Sequence, residues 1–274
     1  MDKQFWLAIK ENKFAFPKGH DLSVLTDELF SYIPSLDPEL RDDIGYEVFA
    51  NWVETESYSA EQLRGYLARL VENLQIGLGE HESDSVFGRA FSILFLAEII
   101  HRDNQQPYLE AREVTEALDR VFAYLAAEND PRGYVPIKGW AHALAHTSDA
   151  LMVFARSPHL DSANLERILT AMSEKIRSAT SWVYVHGEDD RLARAVVTAF
   201  AREMLTPDQI KHWLEGLSIN WQGAWKDESQ SGAYFNTRNL LRAVHLRILS
   251  TKDLSRKEEL AALAFDAVSS IRPF

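Results

Sequence analysis

Two histidines four residues apart, with an aspartate three residues further on, come nearest in this sequence to a reactive site. They are His142, His146 and Asp149, in the run Gly139-Trp-Ala-His-Ala-Leu-Ala-His-Thr-Ser-Asp149. On a helix over 139–154, 100° per residue puts these three and Val153 on one narrow face. Trp140, Leu144, Thr147, Leu151 and Phe154 then lie opposite and supply the packing. Alanines at 141, 143 and 145 keep the first turns slim, so another element can approach closely. Two imidazoles one turn apart can place two ring nitrogens on one metal ion, which is why H-x-x-x-H recurs in zinc and iron sites. Asp149 would be a third ligand, or would orient His146 from behind. The cofactor such a trio could take is a divalent metal: zinc, iron or manganese. Without metal, the aspartate can hold one histidine tautomer for acid–base work. The structural reading stands beside both, with the histidines bonded to neighbouring helices and Asp149 paired with an arginine. The glutamate of the zincin motif is missing, since Ala143 follows His142.

Two arginines are candidates to line the same groove. Arg89 interrupts the apolar stretch Ser83–Glu98, and a charge in a dry interior must be paired. It either clamps an anionic group beside the histidines or ties helices together through a carboxylate such as Glu128 or Asp130. Arg132 and Gly133 directly precede the His segment, and Trp140 opens it. His186, in Tyr184-Val-His-Gly-Glu188, is an outside candidate for a further ligand. Nucleophile elbows, phosphate loops, dinucleotide fingerprints and calcium loops are absent from the sequence.

The surrounding chain reads as helices almost throughout. Leu63, Tyr66, Leu67, Leu70 and Leu74 form one apolar stripe, Val114 to Leu125 a second, and Leu165 to Ile176 a third. Asp37-Pro38 reads as an N-cap followed by a first-turn proline. Ser59–Gln62, Thr206–Gln209 and Ser255–Glu258 read as capping boxes. Starts at Asp37, Ser59, Ser83 and Pro107 are 22, 24 and 24 residues apart. That interval holds one helix and a short turn, so consecutive helices must run antiparallel. Two such helices make a unit of about 45 residues, within the range of HEAT repeats. The expected fold is therefore all-α, a right-handed stack of antiparallel helix pairs (a HEAT/ARM-like α-solenoid) of about eleven helices, forming one domain over 1–274. A closed α/α toroid is the alternative. Residues 129–138 read as a long loop. Residues 218–235, carrying Trp221, Trp225, Tyr234 and Phe235, read as a second, either a lid or a plug.

Composition narrows the partners. A net charge of -12 opposes association with phosphate backbones and anionic lipid, so neither nucleic acid nor a membrane is expected. No window approaches the roughly 18 apolar residues of a membrane span. Cysteine is absent, which removes thiolate chemistry and fits a cytoplasmic location.

The segments Glu82-Ser-Asp-Ser-Val-Phe-Gly-Arg-Ala-Phe-Ser92, Glu128-Asn-Asp-Pro-Arg-Gly-Tyr-Val135 and Lys138-Gly-Trp-Ala-His-Ala-Leu-Ala-His-Thr-Ser-Asp149 resemble the signature of a bacterial domain-of-unknown-function family, number 2785. Its pattern joins an arginine-bearing helix, an acidic-Arg-Gly turn and a G-W-A-H-x-x-A-H-x-x-D helix. Trp140, His142, His146 and Asp149 all stand where that pattern has them, whereas Ala90 and Thr147-Ser148 depart from it. The resemblance implies an all-helical, HEAT-like fold and a site centred on the trio, and it implies no substrate. The expected function is a binding or scaffolding module whose polar groove is lined by His142, His146, Asp149, Arg89, Arg132 and Trp140. It would receive a small molecule, a peptide or a protein. The alternative is a hydrolase using metal held by His142, His146 and Asp149.

Overall fold

The protein is described by a computed structural model covering residues 1–272, with the backbone alone at Trp225. Among the described residues the chain is all-helical, apart from one two-stranded hairpin. It divides into two compact units, Met1–Ala150 and Leu151–Phe274.

The first unit contains α1 (Lys3–Glu11), α2 (Leu22–Tyr32), a π-helical segment (Glu39–Tyr46) running into α3 (Glu47–Glu54), α4 (Ala60–Asn73), α5 (Ser85–Gln105) and α6 (Ala111–Ala127). The hairpin strands β1 (Tyr134–Val135) and β2 (Gly139–Trp140) follow, and α7 (Ala143–Ala155) begins. Helix α5 is central because it is apolar on all sides: Val86, Phe87, Ile93, Phe95, Leu96, Ile99 and Ile100 are all fully buried. The π-helical segment, α3 and α4 pack on it, and α6 packs on α4. Phe49 stacks on Phe95 with ring centroids 4.8 Å apart, and Phe30 meets Phe95 edge-on. Such aromatic pairs add roughly 0.5–1.5 kcal/mol each beyond their burial.

The second unit is built on α11 (Glu228–Ser250), against which α8 (Ser162–Arg177), α9 (Glu188–Ala201), α10 (Pro207–Ser218) and α12 (Lys257–Ser270) pack. Consecutive helices lie side by side within each unit, including α4 with α5, α8 with α9 and α11 with α12. The described residues thus form twelve α-helices, close to the number the rhythm predicts. Among them, no helix is long and apolar enough to cross a membrane.

Several start signals act as read. Ser59 with Gln62, and Thr206 with Gln209, form reciprocal capping boxes, each worth about 1 kcal/mol. Asp37 accepts from the Glu39 amide at 3.0 Å. Two starts are displaced. Helix α6 begins at Ala111 rather than near Pro107, with Glu110 and Glu113 making the box. Helix α12 begins at Lys257, with Arg256 at the cap in a left-handed conformation (φ +54°) and no side-chain cap. The 218–235 segment is shorter than a single long loop. A 3-10 turn spans Ala224–Lys226, and α11 takes up Tyr234 and Phe235. Trp221 is buried, donates to the Leu217 carbonyl at 2.8 Å and meets Tyr234 edge-on. The part of the lid-or-plug expectation that falls on the Trp225 side chain lies outside the described residues.

Candidate functional site

The hairpin corrects the helix expected over 139–154. Tyr134 pairs with Trp140 and Val135 with Gly139. The pairing continues as the Ala141 amide donates to the Gly133 carbonyl at 2.9 Å and the His142 amide to Arg132 at 3.1 Å. Those amides are therefore engaged with the preceding strand, and α7 starts only at Ala143. His142 stands at the cap position: its carbonyl accepts from the His146 amide at 2.9 Å, while its own φ is +51°. A left-handed φ on a non-glycine residue is uncommon and costs free energy. The two histidines are thus joined by the first hydrogen bond of the helix, not carried on two successive helical turns.

His142 and His146 are both buried, each about 5 % exposed. Their ring centroids lie 5.8 Å apart at 73°. His142 stacks on Trp140 at 4.5 Å and 20°, and Trp140 meets Tyr134 edge-on at 5.1 Å. At the other end His146 meets Phe91 edge-on at 5.0 Å, and its Nδ1 lies 3.1 Å from the Ala90 carbonyl oxygen. A carbonyl can only accept, so that contact places the proton on Nδ1. One continuous line of rings therefore runs from the exposed hairpin into the core of the unit. Val86, Phe87, Ala90, Ala141 and Ala143 form a buried cluster beneath it, where the alanines allow α5 and the start of α7 to meet closely.

Asp149 lies one turn beyond His146 on α7. Its charge is one cause holding the Glu98 carboxyl above its ordinary range; burial is the largest, opposed by a 2.7 Å hydrogen bond from the Tyr46 hydroxyl. Among the described residues, no group of three or more His, Asp or Glu side chains is arranged to hold a metal ion.

The two arginines serve the frame of the site. Arg89 is fully buried and grips Glu128 with two bonds, Nε to Oε2 at 2.6 Å and Nη2 to Oε1 at 3.0 Å. Its Nη1 donates to the Ile76 and Gly77 carbonyls and to Ser85 Oγ. Of the two roles open to Arg89, the geometry is that of a tie between α5 and the end of α6. Arg132 binds Asp130 and donates from Nη2 to the Ser83 carbonyl at 2.8 Å. Both arginines anchor the 128–133 segment from which the hairpin springs, and neither belongs to the ring line.

Sequence reasoning missed a third arginine. Arg41, on the π-helical segment, is fully buried between the Phe87 and Phe91 rings, 4.5 and 4.6 Å from their centroids. It donates to the Ser35 carbonyl at 2.8 Å and to the Lys138 carbonyl of the hairpin at 2.9 Å, and its Nε lies 2.8 Å from Asp42. Burial pushes the Asp42 carboxyl up to about 6, with Arg41 pulling the other way. Burial likewise lowers the Arg41 guanidinium, with Asp42 opposing it. The wide turn bonds residues five apart, as in Glu47 N–H to the Asp42 carbonyl. Such π turns concentrate at functional sites. A polar residue inside an amphipathic pattern was the available signal, but Arg41 reads as an ordinary surface arginine when the π turn is not foreseen.

Residues 74–246, more than half of the chain, match the family model described as a protein of unknown function (DUF2785). No curated protein matches the chain, and no solved structure does.

Proposed function

Because the chain belongs to the DUF2785 family, whose function is unknown, we propose its role from its own geometry: a binding module that recognises its ligand through the face carrying His142, His146 and Asp149, beside Trp140. The observation that carries this reading is the backbone at His142. A left-handed φ on a histidine, held between a strand pairing and a helix start, presents the ring to Trp140 and to a second imidazole. Backbone outliers of this kind cluster at ligand clamps and active sites because surrounding structure must sustain their cost. The ring line offers an imidazole donor and acceptor set beside aromatic faces, which suits a small molecule or a peptide side chain with a flat or cationic group. The acidic chain favours neutral or basic ligands over anionic ones.

A metal-dependent hydrolase built on the same three residues needs all three to converge on one ion with a coordination position left open, and among the described residues no three such side chains are so arranged. No observation favours it over binding. Elemental mass spectrometry on untagged protein, beside the His142→Ala/His146→Ala double variant, decides between them. Near-stoichiometric zinc, iron or manganese in the parent and none in the variant would replace the binding reading with the hydrolase. With no metal in either, a thermal-shift screen of neutral and cationic small molecules and short peptides follows. The reading predicts ligands that raise the melting temperature of the parent but not of His142→Ala or His146→Ala. Ligands that stabilise all three equally would place recognition elsewhere.

A further inference from the structure

The tip of the hairpin carries a conflict that the imidazole site does not explain. The Lys138 amide donates to the Val135 carbonyl at 3.1 Å, closing a four-residue turn over Pro136 and Ile137. Ile137 has φ +71°. Proline second and a positive φ third are the marks of a type II turn, whose third position calls for glycine or asparagine. A β-branched side chain is the poorest fit to that conformation. Burial could offset the strain, yet Ile137 is 92 % exposed, so this chain gains nothing by keeping isoleucine there. Tyr134 and Trp140, register partners on the two strands, are also substantially exposed and meet edge-on. Three large apolar side chains therefore stand together on one two-stranded projection.

The projection is also rigidly mounted. Buried Arg41 holds the Lys138 carbonyl, and Lys138 Nζ binds Asp84 at 2.7 Å. Gly139 (φ +78°) sits so close to Pro38 that an added Cβ would lie 3.0 Å from the Pro38 Cβ. A preorganised knob rich in Tyr, Trp and Ile loses little freedom on binding and has the make-up of an interface hot spot.

We propose that this knob docks into a partner protein presenting an apolar socket rimmed by lysine or arginine. The charge around it selects that partner. Asp84 is bridged to Lys138, and Asp37 and Glu39 share Lys3; with Glu80 and Glu82 in the segment leading to Asp84, carboxylates outnumber the lysines there five to two. A second copy would bring two acidic rims together in a chain of net charge -12, and an anionic bilayer would be repelled in the same way. A basic rim complements this excess of negative charge while the socket covers Ile137. The knob shares Trp140 with the imidazole face through its stack on His142, but Ile137 at the tip is no part of that ring line, so variants at 137 and at 146 test the two readings apart.

The test is site-specific photo-crosslinking in the cells that produce the protein, with p-benzoylphenylalanine at position 137 and, as control, at exposed position 246 of the second unit. The adduct protein is then purified and titrated against the parent, Ile137→Asp and Ile137→Gly by calorimetry. The expected result is a protein adduct at 137 that is absent at 246 and persists in a His146→Ala background. Binding should weaken at least tenfold in Ile137→Asp. Ile137→Gly should bind more weakly yet melt a few degrees higher, by about 2–4 °C for a chain of this size, because glycine relieves the strain. The proposal is overturned by no adduct at 137 above the control, an adduct only to lipid or to a second copy, or undiminished binding of Ile137→Asp. It is equally overturned if Ile137→Gly melts lower than the parent.

Discussion

Glu128→Gln isolates the tie on which the hairpin depends. The carboxylate and Arg89 are both buried and joined by bonds of 2.6 and 3.0 Å. With charge centres about 4 Å apart and an effective dielectric near 20, their attraction is about 4 kcal/mol. Removing the negative partner leaves the guanidinium buried and uncompensated, so the substitution should cost ~3–5 kcal/mol. Arg89→Met strands the opposite charge and also frees the Ile76 and Gly77 carbonyls, at roughly 1 kcal/mol each. The double variant Arg89→Met/Glu128→Gln buries no net charge and should cost less than the two single changes added together, by ~2 kcal/mol or more. Urea unfolding followed by circular dichroism measures all three. Additive costs, or a Glu128→Gln penalty under about 1 kcal/mol, would show that solvent reaches the pair and that no buried charge is stranded.

Three further outcomes are expected. Asp42 titrates near 6 in the folded chain, above the ordinary aspartate value of about 4. A raised carboxyl contributes stability that is full below about pH 4 and is lost as pH rises through 6. Melting temperature measured from pH 4 to 7 should therefore carry a slope that Asp42→Asn flattens; an unchanged profile would count against the shift. At Gly232 a Cβ would fall 2.1 Å from the Thr180 carbonyl oxygen, against backbone that cannot yield cheaply. Gly232→Ala should accordingly lower stability by ~1–3 kcal/mol in denaturant titration. Ser59→Ala removes one half of a reciprocal capping box and should cost about 1 kcal/mol by the same assay. An effect under a few tenths would mean the α4 start is held by packing alone.

The helices were legible because their signals are local. An apolar stripe such as Leu63 to Leu74, introduced by Ser59 and Gln62, needs no distant residue to be read. Arg89 was legible for a different reason: a charge inside an all-round apolar helix has few outcomes, and Glu128 was among the candidates. The hairpin was not legible. Its strands hold two residues each, too few to show alternation, and the helical spacing of His142, His146 and Asp149 masked them. What decides the start of α7 is the demand of the Arg132 and Gly133 carbonyls for the Ala141 and His142 amides, a tertiary fact with no trace in periodicity. Arg41 stayed hidden because a π turn shifts which side chains point inward. The Ser255 signal failed where a four-residue motif matched but Arg256 took the cap in its place.

The contact between Trp140 and His142 makes the candidate site its own optical probe. A protonated imidazole stacked on an indole at 4.5 Å quenches its emission, whereas the neutral ring does so far less. In a variant keeping Trp140 as the sole tryptophan, the emission reports on the contact with His142 alone. A ligand that wedges the rings apart, or fixes the charge on His142, would register as a change of lifetime. Occupancy of this face could thus be followed in real time, with no label and before any ligand has been identified.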